Sequence, residues 1–182
     1  MMRKTAVMVS LAGLLSLLVG GCAAQPSAEE ARAGLEQLAE ETDGEMRALQ
    51  DLLAGHGLTV EEARTTVDSC QSTPVPGLSY RAGGRIVGAE DFATRFDTAL
   101  SALQEERWTI ESEGTEDDGI HAGDPQPWAN LARDEFRVSL KRDIYDPGQA
   151  LVVGLHRTDD CIRVPDGTST EYDDLEKDLS AG

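Results

Sequence analysis

Two stretches in the last third of this chain carry large apolar side chains at every second position. The stretches are FRVSLKRD at 136–143 and ALVVGLHR at 150–157, and their alternating apolar residues are Phe136, Val138, Leu140, Leu151, Val153 and Leu155. A period of two predicts a strand with one buried face, and Asp146-Pro147-Gly148 between the stretches is typical of a turn. The sequence therefore predicts an antiparallel hairpin whose apolar face needs a second layer to cover it.

Two stretches with helical periodicity can supply that layer. The stretch 28–54 begins with a capping box at Ser27 and Glu30, and Gly55 follows it. Its apolar stripe is Leu35, Leu38, Thr42, Met46, Leu49, Leu52 and Leu53. The stretch 89–106 has a second stripe, Phe92, Phe96, Ala99, Leu100 and Leu103. We therefore predict an α+β fold with one antiparallel sheet of about four or five strands packed against these two amphipathic helices.

For the remaining strands the sequence gives weaker signals, and for one of them it leaves a helix as an alternative. The stretch 63–70, ARTTVDSC, is rich in β-branched residues and predicts a strand, but a possible capping box at Thr59 and Glu62 leaves a helix open. The stretch 78–88 predicts a short hairpin with its two-residue turn at Gly83-Gly84. The alternation of RWTIES predicts a strand after the second helix, and CIRV at 161–164 would continue the sheet.

Two acidic segments are predicted to lie outside the sheet. The stretch 111–127 is rich in Asp, Glu, Gly and Pro, which predicts a loop. It lacks the ligand register of an EF-hand calcium loop, and we expect its His121 to be a solvated residue rather than a catalytic base. The tail 166–182 is also acidic, and we expect it to be frayed.

The first residues have the build of an export signal. Arg3 and Lys4 are followed by an uncharged apolar run from 5 to 19 and by Gly20-Gly21. A secretory signal has a positive start, an apolar segment of about 7–15 residues and small residues at the cleavage site. A membrane-spanning helix needs about 20 apolar residues, so a removable signal is the better interpretation.

The motif Val19-Gly20-Gly21-Cys22 resembles the lipobox of bacterial lipoprotein precursors. The resemblance implies that residues 1–21 are removed, that the thiol of Cys22 is lipidated and that the protein is anchored on the outer face of the cytoplasmic membrane. An ordinary signal peptide is the alternative. Residues 22–27 would then form a tether, and 28–182 a single domain. Two or more acyl chains give a stable anchor, whereas one chain binds only marginally.

The charge of the mature chain restricts its partners. Without residues 1–21 the chain has 14 Lys and Arg against 34 Asp and Glu, a net charge of −20. Nucleic acid and anionic headgroups both require basic clusters, so neither is an expected partner. The highest local density of positive charge is at Arg81 and Arg85. These two residues either bind a ligand or form ion pairs with neighbouring acidic side chains. The excess of Arg over Lys resembles proteins of GC-rich bacteria such as actinobacteria.

Two cysteines remain in the mature chain, Cys70 and Cys161. Disulfides persist in exported proteins, and an even pair without C-x-x-C spacing favours a structural bridge. A pair of buried free thiols is the alternative. His156 lies five residues before Cys161, but one His and one Cys do not make a zinc site. We predict no cofactor and no metal.

The sequence contains none of the common catalytic motifs, such as G-x-S-x-G, H-E-x-x-H or a phosphate-binding glycine loop. Aromatic residues make up only 4% of the chain, which supplies a sugar-stacking platform poorly. We therefore expect a non-catalytic envelope lipoprotein that binds a protein or a cell-wall component. The alternative is a carrier of a small apolar ligand in a pocket between the helices and the sheet.

Overall fold

The computed structural model describes residues 26–71, 76–88, 91–116, 124–143, 150–165 and 169–180, which form an α+β fold. In chain order the elements are α1 (Ala28–Gly55), β1 (Thr59–Gln71), β2 (Gly77–Val87), α2 (Phe92–Glu105), β3 (Thr109–Glu116), β4 (Gln126–Arg133), β5 (Phe136–Arg142), β6 (Leu151–Arg157), β7 (Ile162–Arg163) and a 3-10 helix (Ser169–Leu175). The predicted fold class is confirmed. Within these described ranges the sheet has seven strands rather than four or five.

The strands form a single sheet in the order β1-β2-β6-β5-β4-β3, and β7 pairs with β2. All of the strand pairs are antiparallel. The predicted hairpin of β5 and β6 is confirmed, with a register that runs from Phe136 opposite Arg157 to Arg142 opposite Leu151. The predicted turn residues, 146–148, lie outside the described residues. The short strand at 162–163 confirms that CIRV continues the sheet.

The predicted hairpin at 78–88 is wrong, because Gly83 and Gly84 lie inside the continuous strand β2. A Cβ atom on Gly84 would lie 2.6 Å from Cγ1 of Val60 and 3.0 Å from the carbonyl oxygen of Glu61. The strand β1 has an irregular register between Glu61 and Arg64 at this point. The glycine therefore permits close approach of a bulged neighbouring strand, a long-range demand that resembles turn chemistry in the sequence.

The strand predicted at 63–70 is confirmed as part of β1, and Thr59 with Glu62 does not cap a helix. Glu62 instead has a φ of 51°, which is a left-handed backbone conformation that accompanies the irregular register.

The predicted loop at 111–127 is wrong at both of its ends. Residues 111–116 belong to β3, and Gln126 and Pro127 belong to β4. The acidic side chains of β3 are tolerated because β3 is the last strand of the sheet, where charge also discourages pairing with other chains. The strand β4 contains Pro127, Ala129, Asn130 and Ala132, which are residue types depleted in strands, so its sequence gives only a weak strand signal. Residues 117–123, including His121, lie outside the described residues.

Both predicted helices are confirmed, and both pack on the same face of the sheet. The capping box of α1 is formed: the Glu30 amide donates to Ser27 Oγ at 3.2 Å, and the Ser27 amide donates to Glu30 Oε2 at 2.8 Å. Asp91 caps α2 by accepting from the Thr94 amide at 2.9 Å. The predicted stripes face the sheet, and every member is buried except Leu52 and Leu100, which are partly buried and pack against the core.

The expectation of a frayed tail is wrong for residues 169–180. Tyr172, Leu175 and Leu179 of this segment are buried. The Lys177 ammonium donates to Oδ2 of the buried Asp43 at 2.6 Å, and the Tyr80 hydroxyl donates to Oδ1 of the same carboxylate at 2.9 Å. Burial raises the pKa of Tyr80, so the phenol remains a donor. The tail therefore fastens α1 to the sheet through a satisfied buried carboxylate.

The tail also covers part of the outer edge of β1. The Thr65 amide donates to the Lys177 carbonyl oxygen at 2.9 Å, and the Leu179 amide donates to the Ala63 carbonyl oxygen at 2.7 Å. These bonds satisfy backbone groups that an edge strand would otherwise present to solvent.

Candidate functional site

The alternation in β2, β5 and β6 gives the sheet two unlike faces. Leu151, Val153 and Leu155 of β6 are buried beneath the helices, whereas the residues between them are partly exposed. Within the described residues both α-helices lie on the first face. We call the second face the open face. Its central residues are Arg81, Gly83 and Arg85 of β2, Val152, Gly154 and His156 of β6, and Arg137, Ser139 and Lys141 of β5.

Four basic side chains surround β6 on the open face. Arg81 and Arg137 both lie opposite His156, one on each side of it. Arg85 and Lys141 flank Val152 in the same way. Neighbouring strands are about 4.8 Å apart and residues rise about 3.3 Å along a strand, so the four Cα atoms frame an area of roughly 10 by 13 Å. We call this frame, with β6 as its floor, the β6 trough.

The β6 trough is deepest at its middle, because two adjacent glycines there have no side chains. Gly83 and Ser139 both lie opposite Gly154. A Cβ atom on Gly154 would lie 2.8 Å from Ser139 Oγ, so the serine hydroxyl occupies the space above the glycine. The middle of the floor therefore carries a hydroxyl group and no apolar side chain, whereas Val152 lies on the floor nearer one end, between Arg85 and Lys141.

Polar groups and one indole ring extend the open face beyond β5. The Asn130 side-chain amide donates to Ser112 Oγ at 3.1 Å. Three atoms of the Trp128 ring lie 3.1–3.3 Å from the position that a Cβ atom of Gly114 would take. The missing side chain of Gly114 therefore lets the indole lie against β3 while it stays partly exposed.

Acidic side chains border the β6 trough on both sides. Glu62 of β1 pairs with Arg85 at 3.4 Å, and Glu111 of β3 pairs with Arg137 at 2.6 Å. The acids of these two pairs are largely solvated, with side-chain exposures of 68% and 43%. Because exposed ion pairs contribute about 0–1 kcal/mol, a ligand can replace either acid at small cost. The open face therefore has four basic side chains at its centre and acidic side chains on both outer strands, where the basic Arg64 of β1 also lies, opposite Gly83.

The charges of the trough act on the half-buried imidazole of His156. Burial lowers the pKa of His156, and the positive charges of Arg81 and Arg137 lower it further, against the opposing effect of Asp160. Burial also raises the pKa of the Asp160 carboxyl. A lowered pKa leaves the imidazole neutral at neutral pH. The trough then has charged walls and an uncharged floor.

The structure changes the interpretation of the basic residues that the sequence analysis identified as a positive cluster. Arg81 and Arg85 do lie on one surface, four residues apart in a continuous strand rather than on either side of a turn. The pairing with an acid applies to Arg85. Arg137 and Lys141 were missed, although they occupy the polar positions of an alternating stretch. Their signal was present, but it becomes a cluster only when the strand order is known.

Cys70 and Cys161 form the predicted disulfide, with their Cα atoms 5.7 Å apart and 91 residues apart in sequence. The bridge joins the end of β1 to the residue before β7. The intervening strand passes close by, because a Cβ atom on Gly77 would lie 2.6 Å from Cys161 Sγ. The free-thiol alternative is therefore wrong. Cys22, the predicted lipidation site, lies outside the described residues.

The space between the helices and the sheet is filled by side chains. Met46, Leu53, Leu103, Leu140 and Leu151 all have an exposed fraction of 0%. A water-sized cavity beside any of these residues would expose part of its surface. At these positions the interface between helix and sheet has no room for an apolar ligand.

A surface cleft of about 360 Å³ lies beside the C-terminal half of α1, lined in part by Leu49, Leu52 and Trp108. The Arg133 guanidinium lies 4.6 Å from the centre of the Trp108 ring and pairs with Glu45 of α1. The cleft is thus bridged by an ion pair that fastens the helix to the sheet, and it has a charged rim.

Across the described ranges, neither α1 nor α2 is both long and apolar enough to span a bilayer. The same residues contain no group of three or more His, Cys, Asp and Glu side chains suited to a metal ion. Comparisons with protein-family models, with curated proteins and with solved structures gave no significant match to this chain.

Proposed function

We propose that this protein is a non-catalytic envelope lipoprotein that binds a cell-wall component or another envelope protein through the open face of its sheet. The observation that carries the proposal is the β6 trough, where Arg81, Arg85, Arg137 and Lys141 gather in a chain of strongly acidic composition. A sheet face left without a helix layer is a natural place for a partner, because its side chains are held by a rigid scaffold.

The membrane anchor in this proposal is Cys22. From Cys22 to Ala28 the chain is six residues long, so it spans at most roughly 20 Å when extended. A lipid on Cys22 would hold the domain close to the membrane surface and leave it free to rotate. Radiolabelled palmitate should enter the wild-type protein and be absent from Cys22→Ala, and labelling that survives this substitution would remove the anchor from the proposal.

Photo-crosslinking in native envelopes tests the binding surface. A photoreactive residue at Ser139 lies inside the trough, and one at the exposed Gln37 of α1 lies on the other side of the molecule. We expect discrete adducts from position 139 and none of the same mass from position 37. Equal adducts from the two positions, or adducts only from position 37, would move the binding surface away from the open face.

The second candidate function is a carrier of a small apolar ligand. The full exclusion of solvent from the core leucines weighs against it, since ligand sites usually need about 300 Å³ or more. Incubating the purified protein with a lipid extract and finding a stoichiometric lipid by native mass spectrometry would favour the carrier. The binding hypothesis predicts that none is retained beyond the N-terminal acyl chains.

A further inference from the structure

We propose that the β6 trough binds an extended anionic polysaccharide, whose chain lies along β6 with its acidic groups on the four basic side chains. This inference rests on the proposed function and adds the class of its ligand. Charge complementarity is the first argument: four of the 14 basic residues of the mature chain flank a single strand, whereas the chain as a whole is acidic. Such focused charge attracts anions despite the opposite net charge.

The acidic borders favour a narrow ligand over a wide one. Glu61 lies opposite Arg85 on β1, Asp68 lies further along the same strand, and Glu111 of β3 approaches from the other side. A flat bilayer or a large acidic protein would bring anionic groups against these carboxylates and be repelled. A single polymer chain can lie between the basic walls of the β6 trough, which are roughly 10 Å apart, and the carboxyl near it is that of Asp160, at the end where His156 and Arg81 lie.

The backbone of the open face disfavours a peptide ligand. Extended peptides usually gain affinity by adding a strand to a free sheet edge. In the trough β6 is paired with β2 on one side and with β5 on the other, so its backbone groups are already used. Protein interfaces also centre on aromatic or apolar anchors, and the centre of the trough consists of Gly83, Gly154 and Ser139.

The groups beside the trough match a sugar chain. Ser139 and Asn130 offer hydroxyl and amide groups that can exchange hydrogen bonds with sugar hydroxyls. The indole of Trp128 lies against Gly114 and presents a flat apolar surface. The other tryptophan, Trp108, is buried with an exposed fraction of 3%. Low aromatic content therefore does not deprive this face of a stacking surface. The planar guanidinium group of arginine can form two parallel hydrogen bonds with either a carboxylate or a phosphate group.

Calorimetric titration of the full-length mature protein in nonionic detergent tests the inference. The probes are polygalacturonate, a sugar-substituted poly(glycerol phosphate), neutral dextran, poly-glutamate and phosphatidylglycerol in mixed micelles with the same detergent. We expect one or both acidic sugar polymers to bind, with affinity that falls as salt rises, and the other probes to bind weakly or not at all. The two sugar polymers distinguish carboxylate from phosphodiester recognition.

Paired variants identify the site. Arg81→Gln with Lys141→Gln should weaken binding by about tenfold or more, because both walls of the trough lose a charge. Arg47→Gln with Arg107→Gln removes the same charge elsewhere on the surface and should leave affinity nearly unchanged. Ser139→Phe should also weaken binding, because the ring fills the trough without changing the charge. Circular dichroism checks that each variant is folded.

Several outcomes would overturn the inference: equal loss in the two double variants, preferred binding of poly-glutamate, preferred binding of the phosphatidylglycerol micelles, or no binding of either acidic sugar polymer. The crosslinking experiment separates the two levels of the argument. If adducts at position 139 persist while the sugar polymers do not bind, the ligand class is wrong and the binding surface stands. If both fail, the proposed function fails as well.

Discussion

The two faces of the sheet are built from the same strands and yet do different work. On the face beneath the helices, Val138, Leu140, Val153 and Leu155 have exposed fractions of 0–2%. The residues next to these along the chain lie on the open face, and apart from Val152 they are small, polar or basic; all of them are partly or fully exposed. Along a single strand, residues that stabilise the fold therefore alternate with residues that are candidates for ligand binding. Substitutions at adjacent positions should accordingly change either the free energy of unfolding or ligand binding, but not both.

The largest expected effect comes from breaking the covered face. Leu140→Ala removes a fully buried side chain and should lower the free energy of unfolding by about 2–5 kcal/mol. Lys141→Ala, the next residue on β5, is exposed and should change it by less than about 0.5 kcal/mol. Urea unfolding followed by circular dichroism measures both. Similar losses from the two variants would contradict the division between the faces.

Removing the disulfide should have the next largest effect on stability and none on the trough. Reduction, or the double variant Cys70→Ser with Cys161→Ser, should cost about 2–4 kcal/mol, because the bridge closes a long loop in the unfolded chain. The bridge lies beside Gly77 at the start of β2, whereas Gly154 lies opposite Gly83, six residues further along that strand. Urea unfolding with and without reductant gives the cost, and a folded reduced protein that no longer binds would show that the open face depends on the bridge.

Weakening the attachment of the tail should have a smaller effect. Asp43→Asn removes the buried charge that Lys177 contacts, although an amide can still accept from Tyr80. We expect a loss of about 1–3 kcal/mol, since the charge-assisted bond is replaced by a neutral one. The exposed Asp51→Asn on the same helix is the control. Proteolysis near 169–180 should become faster in Asp43→Asn alone, and an unchanged cleavage rate would mean that the buried carboxylate does not hold the tail.

The smallest expected effect is a pH dependence that arises on the open face. Because the folded-state pKa of His156 lies below its ordinary value of about 6.5, the unfolded chain takes up this proton first as the pH falls. The free energy of unfolding should therefore decrease from pH 7.5 to pH 6. His156→Gln should remove that component, whereas His56→Gln, at the end of α1, should retain it. An identical pH profile in wild type and His156→Gln would contradict the assigned cause.

Features that depend on neighbouring residues were predictable from the sequence. The capping box at Ser27 and Glu30, the two helical stripes and the β5–β6 hairpin all depend on side chains that are close along the chain. The disulfide followed from cysteine number and an exported context, which require no coordinates.

Features that depend on distant residues were not predictable. Gly83-Gly84 has the chemistry of a turn, and only the bulge of β1 shows why a strand needs glycine there. The tail has an acidic, loop-like composition, and it is ordered because Asp43, far away in sequence, binds Lys177. That Arg81, Arg137 and Lys141 occupy polar positions beside apolar ones was visible in the sequence. Their proximity required the order β2-β6-β5, which no local pattern encodes.

The most direct measurement is cosedimentation of the mature protein, kept in nonionic detergent, with insoluble cell-wall material from which the membrane has been removed, comparing the trough variant Arg81→Gln/Lys141→Gln with the charge-matched variant Arg47→Gln/Arg107→Gln. If the open face is the binding surface, both the wild type and the charge-matched variant will sediment with the insoluble material. The trough variant will stay in the supernatant at a salt concentration where the wild type still binds. Equal pelleting of the two double variants at every salt concentration would contradict the account.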